Sequence, residues 1–258
     1  METVTSKDDT TIAFERLGSG SPVVLVCGGS VDRTADAALA QELASDFTVF
    51  NYDRRGRGDS GDTLPYEIER EVEDIEAMIS AAGGSAHLWG SSSGAVLALI
   101  AAESGVSVTK LALWEPPYIP EGLPRPPEDQ ASQYETMIAE GRRGDAVEYF
   151  MSKVVGMPAE VVAGARSQPW WGATEALAHT LAYDARIMGD YTIPTDRAAS
   201  VKVPTMVIAG GADFPWLRQT AQTLADALPD GEVRILEGQG HDVDPGFLAP
   251  VLREFFNA

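Results

Sequence analysis

Five residues carry the chemistry most openly: Gly90-Ser91-Ser92-Ser93-Gly94. They follow a short apolar stretch, Ala86-His87-Leu88-Trp89, and run directly into Ala95–Ala102, an apolar stretch with helical character. A Gly-x-Ser-x-Gly placed between a buried strand and a buried helix makes a very tight turn. It holds the central hydroxyl above a sheet, with the next helix's N-terminus aimed at it. Ser92 is therefore the candidate nucleophile. The small flanking residues are what such a turn requires.

A serine hydroxyl needs a base to take its proton. The chain offers three histidines, His87, His179 and His241. His87 falls inside the strand before the turn and reads as a packed core residue. His179 falls in a polar-apolar helical stretch and reads as surface. His241 ends Glu237-Gly238-Gln239-Gly240, a flexible turn after the strand pattern Val233–Leu236. That is the carboxyl edge of an open α/β sheet, where ligands bind. His241 is the expected base.

The base in turn needs an acid to fix its tautomer. Asp213, in Gly210-Gly211-Ala212-Asp213 after the strand pattern Thr205–Ala209, stands at the same edge and is the expected acid. Glu115, at the end of the strand pattern 108–114, is the alternative triad acid.

The elements that must position these groups are legible as apolar periodicity. Residues 2–5 and 10–17 alternate and read as a hairpin. Val23–Val26 is continuously apolar, as a strand covered on both faces would be. A helical pattern at 33–45, a strand at 47–52 and a helix at about 65–82 precede the serine turn. A strand at 108–114 follows its helix, and a helix at 215–228 and another near 245–256 complete the carboxyl-terminal half. Strands alternating with helices at this spacing predict an α/β fold, a mostly parallel eight-stranded sheet flanked by helices. The rhythm breaks after Glu115 at a proline-rich stretch, Pro116 to Pro127, that cannot continue a sheet. Helical patterns follow at about 129–142, 144–153, 158–166 and 172–188. The expected organisation is a core of residues 1–115 and 204–258, with 116–203 inserted as an all-helical cap.

Four segments then carry a resemblance: Val24-Leu25-Val26-Cys27-Gly28-Gly29, the run from Tyr52 to Ser60 (Tyr-Asp-Arg-Arg-Gly-Arg-Gly-Asp-Ser), the serine turn, and Gly238-Gln239-Gly240-His241. The chain resembles the α/β-hydrolase superfamily, of the serine-nucleophile type with a helical cap. The resemblance implies a backbone oxyanion hole from the N–H groups of Ser93 and Gly29, with Ser30 as the second choice for the latter. It gives Asp53, Arg54 and Arg55 a structural role, tying loops together near the site. Relatives carry His-Gly where this chain has Cys27-Gly28, and Cys27 reads as a buried, inert thiol. The function implied is a serine hydrolase that cleaves a small, largely apolar carboxylic ester or lactone through an acyl-enzyme on Ser92. The alternatives are a specialised C–C hydrolase, lyase or cyclase on the same scaffold, or a ligand receptor that keeps the triad with little turnover. Trp170, Trp171, Tyr118, Met151, Met157, Tyr183 and Met188 give the helical segment apolar surface. Most are expected to pack it, and at least two to meet a substrate.

Composition narrows the partners. The 258 residues carry 39 Asp and Glu against 19 Lys and Arg, a formal charge of −20. That argues against nucleic acid and anionic membranes as partners and leaves a small-molecule substrate. Three scattered histidines and one cysteine show no metal-ligand spacing, and no cofactor is expected. One cysteine allows no internal disulfide, and the polar, acidic amino terminus is unlike a signal peptide, so a cytoplasmic location is expected.

Overall fold

In the computed structural model, which describes residues 1–258, eight strands form one sheet in the order β1-β2-β4-β3-β5-β6-β7-β8. They are β1 (Glu2–Thr5), β2 (Thr11–Gly18), β3 (Ser21–Val26), β4 (Phe47–Tyr52), β5 (Ala86–Ser91), β6 (Val108–Trp114), β7 (Thr205–Gly210) and β8 (Gly231–Leu236). The hairpin β1–β2 joins β4 antiparallel, and every pairing from β4 through β8 is parallel.

The apolar runs explain the layering. Val23 to Val26 are all fully buried, yet Val24 and Val26 pack into one core and Val23 and Leu25 into another. Successive strand residues point to opposite faces, so a continuous apolar run means helices on both. On one face lie α2 (Ile68–Ala81), α3 (Ser93–Glu103) and α10 (Pro215–Ala227), through Ile75, Met78, Leu97, Ala221 and Leu224. On the other lie α1 (Ala37–Leu43) and α11 (Pro245–Asn257), through Leu39, Leu43, Leu248 and Leu252. No helix is long and apolar enough to cross a membrane.

Between β6 and β7 the chain forms α4 (Gln130–Ala139), α5 (Arg143–Tyr149), α6 (Ala159–Ala165), α7 (Trp171–Ala176), α8 (Leu181–Met188) and α9 (Thr195–Ser200), and no strand. Most of this segment closes on its own core of Tyr134, Met137, Val147, Trp171 and Leu181. α8 belongs to both regions. Leu181 and Tyr183 face the helical core, while Ile187 and Met188 face the sheet core.

Three boundaries differ from the sequence expectation. The helix expected from about residue 65 starts at Ile68. The expected helix over 172–188 is two, α7 and α8, separated at Leu177–Thr180. The carbonyls of Glu175 and Ala176 accept hydrogen bonds from the Arg143 guanidinium, which satisfies the end of α7 from outside. The short α9 was not anticipated.

The order of the sheet sets where chemistry can occur. After β3 the chain goes to β4 on one side, and after β4 it crosses to β5 on the other. The loops leaving β3 and β5 therefore diverge around a crevice at the strands' carboxyl ends, the usual ligand position in an open α/β sheet.

Candidate active site

Ser92 sits at the tip of the β5–α3 turn with φ +53° and ψ −124°. This left-handed backbone is costly for a residue with a Cβ, and the surroundings hold it in place. Ser92 N–H donates to Trp114 O at 2.8 Å, which ties the turn to the end of β6. A Cβ on Gly90 would lie 2.5 Å from Gly94 O, and one on Gly94 would run into the carbonyl oxygens of Val26 and Cys27. The glycines flanking the serine are therefore steric requirements of helix-to-strand packing.

Gly28 and Gly29 face this turn from the end of β3. A Cβ on Gly28 would stand 3.2 Å from Ser92 Cβ, and one on Gly29 would stand 3.4 Å from Ser93 Oγ. Gly28 thus packs against Ser92 itself, and Gly29 against the side chain of Ser93, the first residue of α3.

His241 lies in the loop after β8, and two consecutive residues at the end of β6 hold it. Trp114 Nε1 donates to His241 O at 2.9 Å, and Glu115 Oε2 lies 2.7 Å from His241 Nδ1. Neighbouring strand residues normally point to opposite faces. Here Glu115 has φ +42°, which ends the strand's alternation and lets both residues reach the same loop. The other carboxylate oxygen, Oε1, accepts Gly210 N–H at 2.7 Å, so both oxygens of this buried group are engaged. A neutral imidazole facing a carboxylate through Nδ1 donates there, which leaves Nε2 free to accept a proton.

This corrects the expected partner of His241. Asp213 does not hydrogen-bond the histidine; its Oδ1 accepts the N–H of its own neighbour, Phe214, at 2.7 Å. It stays close, since one ligating atom each of Glu115, Asp213 and His241 fall within 4.8 Å of one another. That is the one grouping whose atoms converge enough to hold a cation, but His241 Nδ1 and both Glu115 oxygens already face partners. Partial burial pulls the His241 pKa down, and the Glu115 hydrogen bond and charge outweigh it, with Asp213 and Asp242 adding to the rise. The net direction is upward from the ordinary value.

The remaining candidates fall where their chemistry assigns them. His87 stacks on Phe256 at 4.7 Å and contacts Thr109 Oγ1 at 2.8 Å. Burial, aided by the Lys110 charge, pushes its pKa down to about 4. His179, expected at the surface, is half-buried beside Asp62 and Arg143. Cys27 is fully buried, and burial pushes its thiol up to about 12. Asp53 collects Arg33 and the N–H of Asp59, and Arg55 pairs with Asp74 and Asp8. Of the apolar set, Tyr118, Met151, Trp171, Tyr183 and Met188 are buried, whereas Trp170 and Met157 are exposed.

Sequence reasoning missed a charged group beneath the Gly29 loop. Asp184, on α8, accepts from Arg57, Arg54 and Ser93 Oγ, and Arg54 also pairs with Glu71. Arg54 and Arg57 were visible in the Tyr52–Ser60 segment. Nothing in the sequence linked them to an aspartate more than a hundred residues away.

Known proteins resemble this chain at several depths of similarity. An alpha/beta hydrolase from Sphaerobacter thermophilus is 54% identical, with a TM-score of 0.92 over 99% of this chain and 100% of that one. A thermophilic esterase from Thermogutta terrifontis is 23% identical, with a TM-score of 0.75 over 99% of this chain and 97% of that one, a likeness of fold. An uncharacterized hydrolase of Bacillus subtilis is 35% identical over 92 residues, and the match spans only 34% of either chain. The sequence profile of the alpha/beta hydrolase family matches residues 23–251, which takes in most of β3, all of β4 to β8, the serine turn and His241. On that match and that architecture, the chain belongs to the alpha/beta hydrolase family.

Proposed function

We propose that this protein is a cofactor-independent serine hydrolase acting on a small, largely apolar carboxylic ester or lactone. Ser92 Oγ attacks the carbonyl carbon while His241 Nε2 takes its proton. Glu115 orients the ring and stabilises the imidazolium. The N–H groups of Gly29 and Ser93 hold the oxyanion, each worth about 3 kcal/mol in the transition state. His241 returns the proton to the leaving alcohol, and water then clears the acyl-enzyme by the same steps. The observation that carries this reading is the 2.7 Å contact of buried Glu115 with His241 Nδ1, at the same sheet edge as a serine held at φ +53°.

Ser92 Oγ and His241 are not hydrogen-bonded to one another. Such contacts are often loose before substrate closes the site. An apolar acyl or alcohol group suits the rim, where Phe214 is exposed and stacks on Trp216 at 6.1 Å, next to Asp213. The helical segment between β6 and β7 serves as the cap that limits substrate size.

The test is steady-state hydrolysis of p-nitrophenyl acetate, butyrate and octanoate by the wild type and by Ser92→Ala. Multiple turnovers that vanish in Ser92→Ala are expected. A stoichiometric burst with no steady state would instead favour a ligand receptor, and no reaction by folded protein would favour the C–C or lyase alternatives.

A further inference from the structure

The charged group under the Gly29 loop has a consequence for the oxyanion hole. Arg57 is 1% exposed, and its Nη1 donates to the carbonyl oxygens of Gly28 and Val31. Gly28 O belongs to the same peptide unit as Gly29 N–H. A peptide is planar and trans, so its C=O and N–H point in opposite directions. A buried guanidinium that pins Gly28 O therefore also fixes where Gly29 N–H points. Donation to that carbonyl further polarises the amide and makes its N–H a better donor.

Arg57 is itself held by the helical segment. Its Nη2 donates to Asp184 Oδ1 at 2.8 Å and Oδ2 at 2.9 Å, a two-oxygen grip from α8. Asp184 Oδ1 also accepts Ser93 Oγ at 2.8 Å and Arg54 Nη1 at 3.0 Å, and Arg54 Nη1 reaches Cys27 O at 3.3 Å. One carboxylate thus ties together the residues that carry both oxyanion N–H groups. The charges balance: Arg54 and Arg57 face Asp184 and Glu71, all of them buried. Such a group is poor as a stability device, since an apolar replacement of the same shape is often as stable. Its geometry at the reacting centre gives it a different use.

We propose that Arg57, anchored by Asp184, is a positioning residue that aims Gly29 N–H at the developing oxyanion, so that the hole is correctly formed only when α8 is seated. This rests on the serine-hydrolase reading above. The cap is then more than a wall around the substrate, because its docking onto the core sets the direction of a donor.

Two variants test it. Arg57→Lys keeps the charge beside Asp184 but puts one nitrogen where the guanidinium uses Nη1 for Gly28 O and Nη2 for Asp184. Arg57→Met combined with Asp184→Asn removes the pair together, so no buried charge is stranded. Turnover of p-nitrophenyl butyrate is measured per active site, counted by fluorophosphonate titration, with melting followed by circular dichroism. A trifluoromethyl ketone serves as the oxyanion probe: Ser92 Oγ adds to its carbonyl carbon, the proton passes to His241, and the oxygen becomes the oxyanion.

For both variants kcat is expected to fall about 10- to 100-fold with KM within about threefold, and ketone affinity to weaken by the same factor. A residue that only supports the fold would lower the melting temperature and the number of titratable sites, with kcat per site unchanged. That result, or a folded variant with wild-type kcat, overturns the assignment. A crystal structure of the wild-type ketone adduct tests it without substitution. Gly29 N is expected about 3 Å from the oxyanion with Arg57 still on Gly28 O, and a flipped peptide or a withdrawn Arg57 overturns it. Wild-type turnover with unaffected variants removes the assignment alone, whereas a wild type that neither turns over the ester nor binds the ketone removes the hydrolase reading and the assignment with it.

Discussion

Glu115 meets His241 Nδ1 at 2.7 Å with no side-chain exposure to solvent, while nearly half of the His241 side chain, 47%, stays accessible. The carboxylate is thus fixed in the core of the sheet edge, while the imidazole stays open to solvent. Trp114 secures the backbone of the same histidine, so the end of β6 sets both its position and its tautomer.

Removing the charge of Glu115 should therefore be far more damaging than removing that of Asp213. Glu115→Gln is expected to lower kcat by about 10⁴-fold, on the scale seen when a triad acid becomes an amide. Asp213→Asn, which takes away only a nearby charge, is expected to stay within about tenfold. Steady-state kinetics on one ester compares the two, and the reverse pattern would restore Asp213 as the acid.

The raised pKa of His241 sets the pH dependence. The base must be neutral, so kcat/KM should be lost as pH falls through this pKa, with the acidic limb above the ordinary histidine value of about 6.5. Asp213→Asn and Asp242→Asn each remove a charge that favours the imidazolium, so each should move the limb to lower pH. For stability the sign is opposite. A folded pKa above the unfolded value means the protonated pair stabilises the fold below the unfolded pKa, and this contribution is lost as pH rises through the folded one. Activity therefore rises over the window in which this contribution fades. A pH–rate profile that is flat from pH 5 to 8 would count against His241 as base.

The serine turn leaves no room at Gly94. Gly94→Ala drives a methyl into the carbonyl oxygens of Val26 and Cys27, backbone atoms of the central strand that cannot swing aside. Overpacking of this kind costs about 1–3 kcal/mol, and each kcal/mol moves the melting temperature of a chain this size by about 2–4 °C. A thermal melt should show that loss together with reduced turnover, because the proposed oxyanion donors, Gly29 and Ser93, follow β3 and begin α3.

Cys27, despite its place beside the site, should be chemically silent. Burial pushes its thiol up to about 12, so almost no thiolate exists at pH 8. Native protein is expected to resist iodoacetamide with full retention of activity, and unfolded protein to take up one equivalent. Rapid loss of activity on alkylation would contradict this.

Much of the sheet and the serine turn were legible in the sequence because their signals are local. Val23–Val26 is apolar throughout because both faces are covered, and Gly90 and Gly94 are small because α3 packs against β5 at the first and against the end of β3 at the second. The carboxylate partner of His241 was not legible from local pattern. Glu115 and Asp213 both follow strands at the same edge, and what separates them is the φ of +42° at Glu115 and the β6–β7 register, Trp114 opposite Ile208, which brings Gly210 N–H to Glu115. The pairing of Arg57 with Asp184 spans 127 residues and depends on how α8 docks, which no periodicity encodes. The break between α7 and α8 was hidden for a similar reason, since Arg143 caps α7 from another helix.

The central claim is that Ser92 is a nucleophile activated by His241. Its most direct test is intact-mass and peptide-mass analysis after treatment with an alkyl fluorophosphonate, in which the serine oxygen displaces fluoride from phosphorus. One adduct per chain, on the peptide containing Ser92 and strongly reduced in His241→Ala, is the result this account predicts. No adduct on folded protein, or an adduct on another residue, would contradict it.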